Sequence, residues 1–83
     1  MVVNVVCRVG HDTFPARSRD ISGSGMFLET EWLFDPTQEI RMALEVPGKG
    51  TIAATGRPTR FEAGGGRGEY SVGVGVRFLE SDR

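Results

Sequence analysis

The sequence predicts an all-β fold: a small antiparallel barrel of six short strands with no long helix. Apolar residues recur mostly with a period of two, which marks half-buried strands, and not with the 3.6-residue period of a helix. Twelve glycines among 83 residues fall in turn-like clusters, which suits a chain that reverses direction often. Because a chain of this length builds one small core, we expect residues 1–83 to form a single domain.

The first half of the chain contains three predicted strands. They are Val2–Val9, Phe14–Ile21 and Met26–Thr30. The first alternates strictly and places Cys7 on its apolar face, so Cys7 is interpreted as a small buried hydrophobe and not as a reactive thiol. The other two have weaker patterns, but they are bounded by turn signals at Gly10–Asp12 and Ser22–Gly25.

The second half contains three more strands. They are Glu39–Val46, Thr51–Phe61 and Tyr70–Leu79. Pro58 interrupts the middle one and indicates an edge or a bulge. The last has a nearly bare second face, Ser71, Gly73 and Gly75, which would admit a flat ligand or another backbone. The predicted core comprises Val3, Val5, Ile40, Met42, Leu44, Val72, Val74, Val76 and Phe78. Closure into a barrel is favoured because an open sheet would leave long exposed edges.

Composition excludes several classes of function. The sequence has ten basic and eleven acidic residues, which argues against binding of nucleic acid or anionic lipid through a polybasic surface. The apolar runs are too short to span a membrane and no cleavable leader pattern is present, so we expect a cytoplasmic protein without membrane insertion. The only cysteine, Cys7, and the only histidine, His11, are too few ligands for a structural zinc site, so no metal is expected. His11 has no nucleophile near it in sequence, so we do not expect this protein to be an enzyme.

Three segments together resemble a known family. Asp20-Ile-Ser-Gly-Ser-Gly25 resembles the D/N-x-S-x-x-G signature of the PilZ domain, a bacterial receptor module for cyclic di-GMP. Glu39–Gly48 is similar to the alternating strand that ends in Leu-Pro-Gly in such domains, and Gly75–Phe78 is similar to their closing Gly-Val-x-Phe. The resemblance implies a six-stranded barrel. It also implies a nucleotide site that includes Asp20, Ser22 and Gly25.

The sequence departs from that family in one respect. PilZ receptors usually carry R-x-x-x-R before the first strand, and these 83 residues contain no two arginines at that spacing. Paired guanidinium groups bind phosphate oxygens bidentately, so their absence predicts weak or lost binding of cyclic di-GMP. Arg17 and Arg19, expected on one face of the second strand, are candidates to supply positive charge, although a solvated strand face explains them equally well.

The motif also has a purely structural interpretation. Asp20 and Ser22 would cap the turn with side-chain hydrogen bonds, while Gly23 and Gly25 would supply positive φ angles. Both interpretations remain open at this point.

The segment Trp32-Leu33-Phe34 is the most apolar stretch outside the strands. Its side chains either close an open end of the barrel or anchor a protein partner, since tryptophan is favoured in binding hot spots. In the second case we expect Trp32, Leu33 and Phe34 to form one surface with the Asp20–Gly25 turn.

Two functional classes follow. The favoured one is a PilZ-like adaptor of a bacterial signalling or motility system that acts through protein contacts, with cyclic di-GMP at most a weak ligand and no other cofactor. The alternative is a cyclic di-GMP receptor domain whose arginine motif is missing from this chain. Met1 directly before the first strand is expected of a native minimal protein, although a trimmed chain would look identical. A homodimer is compatible with either class.

Overall fold

The chain folds into a closed antiparallel barrel of six strands, as predicted. The computed structural model describes residues 2–32, 35, 37–63 and 72–79. The strands are β1 (Val3–Val9), β2 (Asp12–Ile21), β3 (Gly25–Thr30), β4 (Ile40–Val46), β5 (Gly50–Ala63) and β6 (Val72–Phe78). Their order around the barrel is β1-β2-β3-β6-β5-β4, and β4 pairs back onto β1. Across these described ranges no helix is long and apolar enough to cross a membrane.

The barrel interior is filled by alternate side chains of every strand. β1 shows the strict pattern, with Val3, Val5, Cys7 and Val9 buried and the residues between them exposed. Eight of the nine predicted core residues are buried, and Phe78 is half buried at the end of β6. Phe14, Ala16, Met26 and Leu28 complete the core from β2 and β3. Complete burial of Cys7 confirms its interpretation as a small hydrophobe, and burial also raises the pKa of its thiol to about 12.

A tight turn connects β4 and β5. Lys49 N–H donates to the Val46 carbonyl oxygen at 2.9 Å, and Gly48 has a φ of 80°. Pro47 followed by a glycine of positive φ is typical of a type II turn. Tyr70 and Ser71, which belong to the last predicted strand, lie outside the described residues.

Two β-bulges interrupt the regular pairing. The register shifts between Ser18 and Asp20 on β2, and between Pro58 and Arg60 on β5. The second shift confirms that Pro58 marks a bulge. Each bulge adds one residue to its strand, so the side chains that follow change faces relative to simple alternation.

Candidate functional site

An open groove of about 710 Å³ lies on the outer wall where β2, β3, β6 and β5 run side by side. The groove is lined by Asp20, Ser22, Ser24, Gly25, Met26, Phe27, Thr59, Arg60, Gly75, Val76 and Arg77. The structure therefore joins the D-x-S-x-x-G motif to the bare face of the last strand. Its size falls within the range usual for small-molecule sites.

The bulge on β2 places Asp20 in this groove. Asp20 pairs with Phe27 on the outer face, whereas two-residue alternation from the buried Ser18 would have directed it inward. The Ser18 hydroxyl donates to the Phe27 carbonyl oxygen at 2.9 Å and lies 3.4 Å from that of Asp20. A fully buried hydroxyl thus satisfies backbone acceptors at the irregular point of the strand.

The bulge on β5 places Arg60 in the groove. Arg60 pairs with Gly75 on the outer face after the register shift. The Thr59 hydroxyl donates to the Gly75 carbonyl oxygen at 3.1 Å, which ties the bulge to β6. The Arg60 guanidinium is exposed and already engaged, with Nε 3.0 Å from Oε2 of Glu62.

Close packing requires glycine at one position of β3 and one of β6. A Cβ at Gly25 would overlap the backbone carbonyl oxygen of Val76, so only glycine allows β3 to approach β6 there. A Cβ at Gly73 would overlap the Phe27 ring, which therefore covers part of the face predicted to be bare. Gly75 is more open, since its nearest neighbour would be the Thr59 hydroxyl at 3.2 Å.

The hydroxyl of Ser22 is used inside the turn. Ser24 N–H donates to Ser22 Oγ at 3.3 Å, and Ser22 N–H donates to the Gly25 carbonyl oxygen at 2.8 Å. Phe78 N–H donates to the Ser24 carbonyl oxygen at 2.8 Å and fastens the turn to β6. The capping interpretation therefore holds for Ser22.

The other half of the structural interpretation is wrong. Neither Gly23 nor Gly25 has a positive φ; among the described residues only Gly10, Gly48 and Gly50 do. The Asp20 carboxylate is exposed and forms no hydrogen bond or ion pair with the described part of the chain. The residues that the structure describes thus leave Asp20 open to the groove, and packing requires the glycine at 25.

Of the two arginines proposed on β2, Arg17 does not line the groove. Arg17 is half buried and lies opposite the buried Glu29 of β3, a cross-strand opposition of charge that favours the pairing. Arg19 occupies the extra position of the bulge. The side chain of Arg19 lies outside what the structure describes.

Within the described part of the chain, the cations that line the groove are Arg60 and Arg77. Arg77 lies on the exposed face of β6, opposite Gly25 on one side and Arg57 on the other. Its position follows from alternation along Val72–Phe78 and could have been found from the sequence. That of Arg60 could not, because it depends on the bulge after Pro58.

Trp32 lies away from the groove, just beyond the other end of β3. Its ring is stacked on the buried Phe14, with centroids 6.0 Å apart, yet 49% of the residue is exposed. Trp32 N–H donates to the hydroxyl of the buried Thr30 at 3.2 Å. The length of β3 separates Trp32 from Gly25, so the structure does not bring Trp32 together with the motif turn. Leu33 and Phe34 lie outside the described residues.

Comparison with known proteins agrees with this architecture. A family model described as PilZ domain matches residues 1–83, the whole chain. No curated protein and no solved structure matches the chain.

Proposed function

Because this chain belongs to the PilZ domain family, whose members are regulatory domains of the cyclic di-GMP-binding type, we propose that it is a bacterial cytoplasmic adaptor. It acts through contacts with a protein of a signalling or motility system. The isolated 83-residue chain binds cyclic di-GMP weakly or not at all. The observation that carries this proposal is the makeup of the groove, which retains the motif but, among the described residues, offers one arginine without an ion pair, Arg77.

The groove could recognise a guanine nucleotide in part. The Asp20 carboxylate could accept hydrogen bonds from N1–H and N2–H₂ of guanine. Arg77 forms no ion pair with the described residues and could bind a phosphate oxygen. The half-buried Phe27 ring supplies apolar surface against which a base could pack.

The rest of the groove is already committed. Ser22 is hydrogen-bonded within its turn, and Arg60 would have to leave Glu62 to bind a phosphate. A hydrogen bond to a charged group contributes about 1.5–3 kcal/mol. Without two guanidinium groups of an R-x-x-x-R pair, the loss amounts to several decades of affinity.

Isothermal titration calorimetry of the 83-residue chain with cyclic di-GMP tests this part of the proposal. We expect no saturable heat at low micromolar concentration. Any weaker binding, followed by NMR shifts of groove amides, should disappear in Asp20→Asn and Arg77→Gln. It should persist in Arg8→Gln, which removes the same charge on β1, outside the groove.

The opposite result would favour the receptor alternative. Low-micromolar binding that Asp20→Ala abolishes would mean that Arg60 and Arg77 together replace the missing pair. Their convergence on the motif groove is the specific observation that supports this second candidate.

The half-exposed Trp32 supports the adaptor role. A tryptophan held by a ring stack and a backbone hydrogen bond is a rigid anchor, and rigid aromatic anchors are frequent in binding hot spots. A photoreactive amino acid at position 32 should crosslink to a protein partner in bacterial cells. The same group at Ile52, an exposed apolar residue on β5, should not.

Trp32→Ala separates binding from folding. Because the ring is half exposed, its removal should lower the melting temperature less than Phe14→Ala, which empties a buried site. Loss of the crosslinked partner without unfolding supports the adaptor proposal. Unfolding by Trp32→Ala would instead assign Trp32 to closing the barrel end.

A further inference from the structure

Two arginines face each other on the outer wall far from the motif groove. Arg8 of β1 and Arg41 of β4 are direct cross-strand partners, and both are exposed. Side chains at such positions have Cβ atoms about 4.5–5.5 Å apart, and like charges there destabilise the pairing. The fold therefore carries an unfavourable contact that packing does not require.

No carboxylate in the described part of the chain compensates this pair. Neither Arg8 nor Arg41 forms a hydrogen bond or ion pair with any described residue. The acidic residue beside them, Glu39, is bound to Arg57, with Nη2 and Oε2 3.3 Å apart. A shallow cavity of about 360 Å³ lies between Arg8, Arg41, Glu39 and the Gly10–His11 turn.

An apolar row adjoins the two arginines. It crosses β2, β1, β4 and β5 through successive cross-strand partners, namely Pro15, Val6, Ala43 and Ala53. Val6 is 46% exposed at its centre. With strands about 4.8 Å apart, the row is roughly 14 Å long, enough for one or two apolar side chains of a ligand.

We propose that this wall binds an acidic, partly apolar segment of a partner protein, whose carboxylates are held by Arg8 and Arg41 and whose apolar side chain packs on Val6. Guanidinium groups bind carboxylates bidentately, and a carboxylate between two arginines would remove their mutual repulsion. This inference rests on neither cyclic di-GMP binding in the groove nor partner contact at Trp32.

Charge on the two sides of the row favours a protein segment over a membrane. Glu45, on the side of the row away from Arg41, is exposed and lies opposite Asn4 of β1. The half-buried Arg17 lies opposite Asn4 on its other side, so this side of the row carries both signs of charge, whereas anionic bilayers attract clusters of basic residues. A peptide can match both, because it presents different side chains along its length.

Selection from a phage-displayed library of random peptides on the immobilised 83-residue chain tests the proposal. We expect enrichment of peptides that combine Asp or Glu with large apolar residues. The net charge of the chain is -1, so overall charge does not favour acidic peptides. The best peptide should then bind Arg8→Gln/Arg41→Gln about tenfold more weakly, and high salt should weaken its binding to the parent more than its binding to this variant.

Matched variants locate the site. Arg60→Gln removes the same charge from the groove side and should leave peptide affinity unchanged, whereas Val6→Ser should weaken it. Arg8→Lys and Arg41→Lys keep the charge without the planar fork and should have intermediate affinity. Melting temperatures of the Arg8→Gln and Arg41→Gln variants should equal or exceed that of the parent, because the repulsion between two like charges has been removed.

Several results would overturn the proposal. Selected peptides without acidic enrichment, or peptides lost with Arg60→Gln and not with Arg8→Gln/Arg41→Gln, would place binding elsewhere. Binding to phosphatidylserine vesicles in the absence of peptide binding would assign the wall to a lipid surface. A dimer in sedimentation velocity that Arg41→Gln dissociates would assign it to a second copy of the chain.

Discussion

The two sides of the barrel are built differently. β1 and β4 pair without interruption from Asn4–Glu45 to Arg8–Arg41, and neither strand contains a glycine. The side that carries the motif has a bulge in β2, another in β5, and glycines in β3 and β6. The regular side contributes strict alternation and a filled core. On the irregular side this alternation is interrupted, and Asp20, Arg60 and Arg77 line one groove.

The largest effect should come from emptying the core on the regular side. Leu44 is 5% exposed on β4, and Leu44→Ala should lower the free energy of unfolding by about 2–5 kcal/mol. Its cross-strand partner on β5, Ile52, is 44% exposed and provides the control. Denaturant melts should show a much smaller loss for Ile52→Ala. Equal losses would mean that burial does not govern stability on this side.

The irregular side should be sensitive to its glycine packing. Gly25→Ala forces β3 away from the Val76 carbonyl and should cost about 1–3 kcal/mol. Gly23→Ala, two residues earlier, meets nothing within 4 Å and serves as the matched control. Thermal melts should leave Gly23→Ala close to the parent. If the two variants melt alike, conformational freedom of the turn and not strand packing explains the glycine of the motif.

The fold was predictable because alternation works wherever the strands are regular. Val3, Val5, Ile40, Met42 and Leu44 were all placed correctly from a period of two. Phe78 is only half buried because β6 ends there, beyond full cover by its neighbours. A period of two reports which face a residue occupies and not how near it lies to the open end of the barrel.

The site was predictable only in part, for the same physical reason. The motif identified Asp20, Ser22 and Gly25, but alternation gives no signal for the register shifts between Ser18 and Asp20 and between Pro58 and Arg60. Pro58 predicted an irregularity in this strand, either an edge or a bulge. It did not predict the face of the sheet on which Arg60 lies. The expectation that Trp32 and the motif form one surface was wrong. It relied on their closeness in sequence, but the full length of β3 separates them in space.

Alkaline pH should distinguish the buried thiol of the regular side. Burial raises the pKa of Cys7 to about 12, whereas the pKa of an unfolded thiol is roughly 8.5. Above that lower value the unfolded chain loses the proton first, so stability is fully present below pH ~8.5 and is lost as pH rises towards 12. The limiting slope is about 1.4 kcal/mol per pH unit.

Cys7→Ala isolates this contribution. Its own stability will be lower because a buried side chain is shortened, so the comparison concerns slopes between pH 8.5 and 10, roughly the range in which an unfolded thiol ionises. The parent should lose stability more steeply with pH than the variant in denaturant melts. Identical slopes would show that the Cys7 thiol titrates alike in the folded and unfolded chain.

The smallest effect should lie where the two sides meet, at Arg57. Arg57 forms an exposed ion pair with Glu39 of the β4 side and lies directly opposite Arg77 of the groove side. Exposed ion pairs contribute about 0.2–1 kcal/mol, and like charges opposed across strands subtract a similar amount. Arg57→Gln removes both contacts, so it should change the melting temperature very little.

Glu39→Gln removes only the attraction and leaves Arg57 facing Arg77 without a carboxylate. It should therefore destabilise the barrel more than Arg57→Gln does, by about 0.5 kcal/mol at low salt, and the gap should close at high salt. Thermal melts of both variants at two salt concentrations measure the difference. If Arg57→Gln proved the more damaging of the two, the repulsion between Arg57 and Arg77 would be negligible, and the groove side would already screen its own cations.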